Sequence, residues 1–92
     1  MDDPLILPPR LDVTAVRRLA RDFREESGSA LRVDASEVEM LGGLCLQVML
    51  AAAQDWRHRG VPLQYEPRSA AFDAAVRQFG IDRAALENGA FA

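Results

Sequence analysis

Residues 33–53 read VDASEVEMLGGLCLQVMLAAA, and this stretch decides the fold. A polar, acidic segment gives way to the pair Gly42 and Gly43, and an almost wholly apolar run follows. We predict a helix over residues 43–59, because the run is long and Gly60 is typical of helix C-termini. Apolar residues on nearly every side predict a central helix that is buried against several neighbours. They are Leu44, Cys45, Leu46, Val48, Met49, Leu50, Ala52, Ala53 and Trp56.

The remaining segments alternate between strand and helix patterns. Apolar or alternating stretches predict strands over residues 5–7, 30–36 and 61–67. The first of these is expected to be peripheral, because prolines flank it.

Two further amphipathic helices are predicted. Asp12 is an N-cap candidate and Gly28 a C-cap candidate for the first helix. The third helix starts at a Ser69 cap, and a short last helix is predicted over residues 82–88. The predicted inward residues are Val13, Val16, Leu19, Ala20 and Phe23 in the first helix and Phe72, Ala75, Val76 and Phe79 in the third. The βαβαβα order predicts an α/β domain in which helices pack on a small, mostly parallel sheet.

Length and composition limit the possible functions. The 92 residues suffice for one domain, expected over residues 1–92 with a core at about residues 4–86. A net charge of −3 does not indicate nucleic-acid binding. The longest apolar run is too short to insert into a membrane. The N-terminus is acidic where a signal peptide is basic, and the single cysteine cannot form an internal disulfide. We therefore expect a cytoplasmic protein.

No set of residues points to an enzyme, a metal or a cofactor. His58, the only histidine, has no local partner that would make it a general base, and it suits the C-terminus of a helix. Cys45 stands among apolar neighbours, which favours core packing over reactivity. The acids Asp34, Glu37 and Glu39 lack the spacing of a calcium loop, so a solvated acidic loop is favoured over a metal site.

Arginines form a stripe along the first helix. Arg17, Arg18, Arg21 and Arg24 could meet an acidic partner or anionic lipid. Alternatively, the stripe is neutralised within the helix by i,i+4 pairs, for example Arg18 with Asp22 and Arg21 with Glu25. We favour internal pairing.

The glycine pair also has two interpretations. The first turn of a helix offers free N–H groups that favour anions, although no P-loop or GxGxxG pattern is present. A tight turn, or close packing against a neighbouring element, explains glycine equally well.

The βαβαβα order together with VDASEVEMLGGLCLQVMLAAA resembles a STAS domain, the fold of bacterial anti-sigma-factor antagonists. That family carries an Asp-Ser/Thr-x-Gly-Leu motif at the start of its long apolar helix, and a partner kinase phosphorylates the Ser or Thr. An ungapped alignment from Asp34 places the motif's Asp on Gly42 and its Ser/Thr on Gly43, a degenerate phosphosite position. Leu44, Cys45 and Leu46 follow. Ser36 matches a serine of the family's polar turn, and the family's N-terminal hairpin is reduced here to LILPP.

The resemblance implies a non-catalytic protein-binding module of bacterial signal transduction. The chemotaxis-associated group without the phosphosite is the most similar, with a signalling kinase, a response regulator or an anti-sigma-like protein as the partner. A cytosolic regulatory subunit of a lipid ABC transporter is the alternative. The predicted binding surface comprises Asp34, Ser36, Glu37, Glu39, Gly42, Gly43 and Leu44.

Overall fold

The computed structural model describes residues 3–89, which form five strands, three α-helices and two 3₁₀ turns. The strands are β1 (Leu5–Ile6), β2 (Arg10–Leu11), β3 (Leu31–Ala35), β4 (Met40–Leu41) and β5 (Leu63–Arg68). The helices are α1 (Val16–Glu26), α2 (Gly43–Arg59) and α3 (Ala70–Gln78), and the 3₁₀ turns are Val13–Ala15 and Arg83–Leu86.

The main sheet is parallel and has the order β1-β3-β5, so β3 is central. This confirms the predicted α/β class with a mostly parallel sheet. A second parallel pair joins β2 to β4, in the register Arg10↔Met40 and Leu11↔Leu41. The sequence did not predict this pair, which holds the segment before α2 against the N-terminal segment.

Asp12 caps the Val13–Ala15 turn and not α1, contrary to the prediction. It accepts a hydrogen bond from the backbone N–H of Thr14, and the turn leads directly into α1, whose N-cap Ala15 makes no side-chain hydrogen bond. Gly60 ends α2 with a φ of 67°, a left-handed conformation that glycine adopts without a Cβ penalty. Ser69 caps α3 by accepting a hydrogen bond from the N–H of Phe72 at 3.0 Å.

One hydrophobic core lies between the helices and the sheet, and no charged residue of the described chain is buried in it. Phe23 of α1 meets Trp56 of α2 edge to face, with ring centroids 6.0 Å apart. Trp56 also donates its indole N–H to the carbonyl of Ser29 at 2.8 Å, so its polar atom is satisfied. These contacts fix α1 against α2.

Three residues that were predicted to be buried are exposed. Leu44 is 54% exposed, so the prediction that α2 is enclosed on nearly all sides is wrong. Val13 is 69% exposed because it lies in the 3₁₀ turn, where the α-helical spacing of its neighbours does not apply. Phe79 is 46% exposed because α3 ends at Gln78, one residue before it.

Candidate functional site

The polar turn after β3 is closed by its own side chains. Asp34 Oδ1 accepts hydrogen bonds from the N–H of Ser36 at 2.9 Å and from its hydroxyl at 2.6 Å. These two bonds hold the pKa of the Asp34 carboxyl below its usual range, because they stabilise the ionised form. The Ser36 hydroxyl is thereby committed to the turn.

Backbone hydrogen bonds then tie the segment before α2 to the N-terminal segment. The N–H groups of Glu39 and Met40 donate to the carbonyl of Pro9 at 2.7 and 3.1 Å. The N–H of Gly42 donates to the carbonyl of Leu11 at 2.9 Å, and a Cβ on Gly42 would lie only 3.3 Å from that oxygen. Gly42 therefore permits a close backbone approach, as one interpretation of the glycine pair predicted.

Gly43 is different, because it is exposed at the start of α2. A Cβ there would meet the ring of Phe79 at 3.6 Å, an ordinary van der Waals distance. No side chain caps the N-terminus of α2, since its N-cap is Gly42. A small residue at position 43 thus leaves open space beside the ring of Phe79.

Exposed apolar side chains surround this open position. Val13 and Leu44 line a shallow pocket together with Gly43, and the ring of Phe79 lies 3.6 Å from the position of a Cβ on Gly43. We call Val13, Gly43, Leu44 and Phe79 the Gly43 face. Within residues 3–89 the only other exposed large apolar side chain is Ile6. Exposed apolar side chains that form one patch are a feature of interaction surfaces.

The groups considered for chemistry do not converge on this face. Cys45 is 1% exposed and donates its thiol hydrogen to the carbonyl of Asp12 at 3.4 Å. Burial, and secondly the charge of Asp12, raise the pKa of that thiol, which confirms core packing over reactivity. His58 is exposed in the last turn of α2. The described chain contains no group of three acidic, His or Cys side chains placed to hold a metal ion.

A comparison with known families identifies the fold. Residues 7–88 match the family model described as "Mlab, STAS domain". The chain belongs to the STAS family. STAS domains are generally non-catalytic regulatory modules and commonly mediate protein–protein interactions. Searches of curated proteins and of solved structures found no match.

This STAS domain brings only part of the predicted surface together. Gly42, Gly43 and Leu44 line one pocket, whereas Glu37 lines a separate groove beside Ile6 and Arg18. Asp34 and Ser36 form their own turn, and Glu39 is exposed ahead of β4.

Sequence reasoning missed Val13 and Phe79 on the Gly43 face, because both fitted an inward helical pattern. The available signal for Phe79 was Gly80, which has a φ of 75° and marks where the helical spacing stops.

The arginine stripe of α1 is not neutralised as predicted. Arg18–Asp22 and Arg21–Glu25 pairs are absent from the described chain, so that interpretation is wrong. The salt bridge formed within α1 is Arg21 Nε to Asp22 Oδ1, at 4.0 Å. Side chains of adjacent residues point about 100° apart on a helix. Such a long, exposed salt bridge contributes little to the stability of the fold.

Across the same described residues, no helix has the length and apolar character needed to cross a membrane.

Proposed function

We propose that this STAS domain is a non-catalytic protein-binding module of bacterial signal transduction, and that its partner docks on the Gly43 face. The observation that carries the proposal is the exposure of Val13, Leu44 and Phe79 around a residue without a side chain. Apolar side chains at the centre of a contact, with polar groups at the rim, are typical of protein interfaces. Asp12 lines the same pocket, and Glu39 is exposed on the preceding loop.

The partner class follows from the family resemblance. A chemotaxis-related signalling kinase, response regulator or anti-sigma-like protein fits a STAS module whose switch position is Gly43. Because glycine has no hydroxyl, that position cannot be phosphorylated, and binding at the face is then set by partner concentration. A regulatory subunit of a lipid ABC transporter is the alternative, and it predicts a nucleotide-binding transport subunit as the partner.

The test is affinity purification of the tagged chain from its source cells, with the captured proteins identified by mass spectrometry. Gly43→Trp should abolish capture of the partner while the melting temperature stays within a few degrees of the wild type. Gly43→Ala is the matched control and should bind, because its Cβ meets Phe79 only at 3.6 Å.

A second matched pair separates the face from the rest of α2. Leu44→Asp should lose the partner, whereas Gln47→Asp, which makes the same change of charge at an exposed site one turn along, should keep it. Normal binding by both Gly43→Trp and Leu44→Asp would place the interface elsewhere. A captured transport subunit would instead favour the transporter alternative.

A further inference from the structure

A groove of about 510 Å³ lies between α1 and α2, apart from the Gly43 face. Its apolar lining comprises Ala20, Phe23, Val48, Ala51, Ala52 and Trp56. The two aromatic rings are buried, whereas Ala51 is exposed at the edge of the groove. Alanine side chains are short, so another helix can approach α1 and α2 closely along this groove.

The α1 side of the groove is basic. Arg24 lines the groove, and Arg17 and Arg21 lie on the same edge of α1 at i−7 and i−3 from it. Neither Arg17 nor Arg24 forms a salt bridge within residues 3–89, and Arg21 reaches only Asp22, at 4.0 Å. This edge therefore presents cationic groups that the rest of the described chain does not neutralise.

Two of the three acidic residues of α1 lie on another part of its circumference. At 3.6 residues per turn, Asp22 and Glu26 are about 100° or more from each arginine of this edge, whereas Glu25 is about 40° from Arg21. Asp22 lines the separate groove beside β1, together with Arg18. From α1, the α1–α2 groove is therefore lined by the cation Arg24 and by no acidic residue.

The acid within the groove is already satisfied. Asp55 accepts hydrogen bonds from the Ser27 hydroxyl at 2.8 Å and from Arg59 Nε at 3.0 Å. The Ser27 bond first, and then Arg59, lower the pKa of the Asp55 carboxyl, so it stays ionised and paired. The net charge that faces a ligand comes from the arginine edge.

We propose that the α1–α2 groove binds an amphipathic helix of a partner protein, one whose apolar stripe is flanked by acidic residues. The apolar floor of the groove contacts the apolar stripe of the partner helix. Arg17, Arg21 and Arg24 form ion pairs with the acidic residues that flank that stripe. A recessed floor of short side chains suits a helix, whereas binding to a bilayer surface relies on apolar side chains that protrude. This surface is separate from the Gly43 face, although Leu44 and Val48 lie one turn apart on α2.

The probe is a stapled helical peptide with a leucine and alanine stripe flanked by glutamates, titrated into the full ¹⁵N-labelled chain. Amide shifts should concentrate at Ala20, Arg24, Val48 and Ala51. Trp56, the only tryptophan, lines the groove and gives an independent fluorescence signal. A peptide with the same stripe flanked by lysines should bind about tenfold more weakly or not at all. Added salt should lower the affinity of the acidic peptide for the groove.

Two matched pairs of variants complete the experiment. Arg24→Glu should lower the affinity for the acidic peptide about tenfold. Arg18→Glu makes the same charge reversal on the other edge of α1 and should change this affinity less than twofold. Ala51→Glu should abolish binding, whereas Gln54→Glu, also exposed on α2, should not. All four positions are exposed, and circular dichroism verifies that each variant folds.

Several results would overturn the proposal. These are no binding of the acidic peptide, equal binding of the lysine-flanked peptide, or amide shifts confined to the Gly43 face. Binding to phosphatidylglycerol vesicles that depends on Arg24 would assign the arginine edge to a membrane instead. The Gly43→Trp variant should bind the acidic peptide normally, so failure here is distinguishable from failure of the proposed function.

Discussion

Gly42 and Gly43 are adjacent and chemically identical, yet the structure uses them for different purposes. At Gly42 a side chain would meet the backbone oxygen of Leu11 at 3.3 Å, so glycine is needed for the fold. At Gly43 a side chain would reach only the edge of Phe79, so glycine there keeps a surface open. Their shared sequence signal could not separate these roles, because the difference depends on Leu11 and Phe79, which are distant in the chain.

Tyr65 is another residue whose role depends on distant contacts. Its ring is fully buried and stacks on Phe72 with centroids 5.7 Å apart, while its hydroxyl has no hydrogen-bond partner in the described chain. Burial, and then the charge of Glu87, raise the pKa of the phenol far above its usual range. The hydroxyl therefore stays neutral, and no protein group of the described chain compensates its desolvation.

Tyr65→Phe should leave the fold intact and raise the free energy of unfolding by about 1 kcal/mol, because an unsatisfied buried hydroxyl costs about 1–3 kcal/mol. Urea denaturation of the variant and the wild type under the same conditions measures this difference. A loss of more than 1 kcal/mol would mean that the hydroxyl has a partner, such as a buried water. Phe72→Leu is the control for the ring contact. It should lower the free energy of unfolding, since it removes the stacking on Tyr65.

At the scale of elements, the sequence was most informative where several local signals agreed. The bounds of α2 agree with the predicted residues 43–59, because a mostly apolar run follows Gly43 and Gly60 supplies the C-terminal signal. Apolarity did not reveal which side of α2 was open, since Leu44 and Leu46 look alike in sequence although one is exposed and the other buried. The strands β2 and β4 have two residues each, too few for any periodicity to predict them.

The N-cap of α3 links two elements through one side chain. Ser69 accepts from the N–H of Phe72 and donates its hydroxyl to the carbonyl of Val38 at 2.6 Å. It therefore joins α3 to the loop that leads into β4. The local capping pattern predicted the first bond, and only the tertiary structure adds the second.

Ser69→Ala should lower the free energy of unfolding by about 1–2 kcal/mol, since it removes the cap and leaves the Val38 carbonyl without this donor. Ser29→Ala is the matched control, because Ser29 is exposed and its hydrogen bonds within residues 3–89 use its backbone N–H and carbonyl, not its hydroxyl. The control should change stability by less than about 0.5 kcal/mol. Equal effects in chemical denaturation would contradict the assigned role of Ser69.

At the scale of the whole molecule, both edges of the main sheet are protected. β1 has only two residues, and prolines flank it at positions 4, 8 and 9. The edge of β5 is covered by the C-terminal segment, where Leu63 exchanges backbone hydrogen bonds with Asn88. Glu87 accepts from the N–H of Tyr65 at 2.7 Å. The β5 edge, which would otherwise invite edge pairing, is thus closed by residues far along the chain.

Arg57 holds this covering segment in place. One guanidinium nitrogen donates to the carbonyls of Ala84, Ala85 and Glu87 at 3.2, 2.7 and 3.1 Å. These carbonyls lie at the end of the Arg83–Leu86 turn, where the Ala84 carbonyl also accepts from the N–H of Glu87 at 3.2 Å. A positive charge near such carbonyls is favourable. Since Arg57 lies in the last turn of α2, it connects that helix to the strand edge through the C-terminal segment.

Arg57→Ala should loosen the C-terminal segment and open the β5 edge while the core stays folded. We expect hydrogen exchange at the amides of Leu63 and Tyr65 to quicken about fivefold, equivalent to about 1 kcal/mol. The amide of Val33 in central β3 reports global unfolding and should change less. Arg77→Ala, which also removes an exposed arginine, is the control and should leave all three amides unchanged. Equal acceleration at Val33 would instead show that Arg57 supports the whole domain rather than one edge.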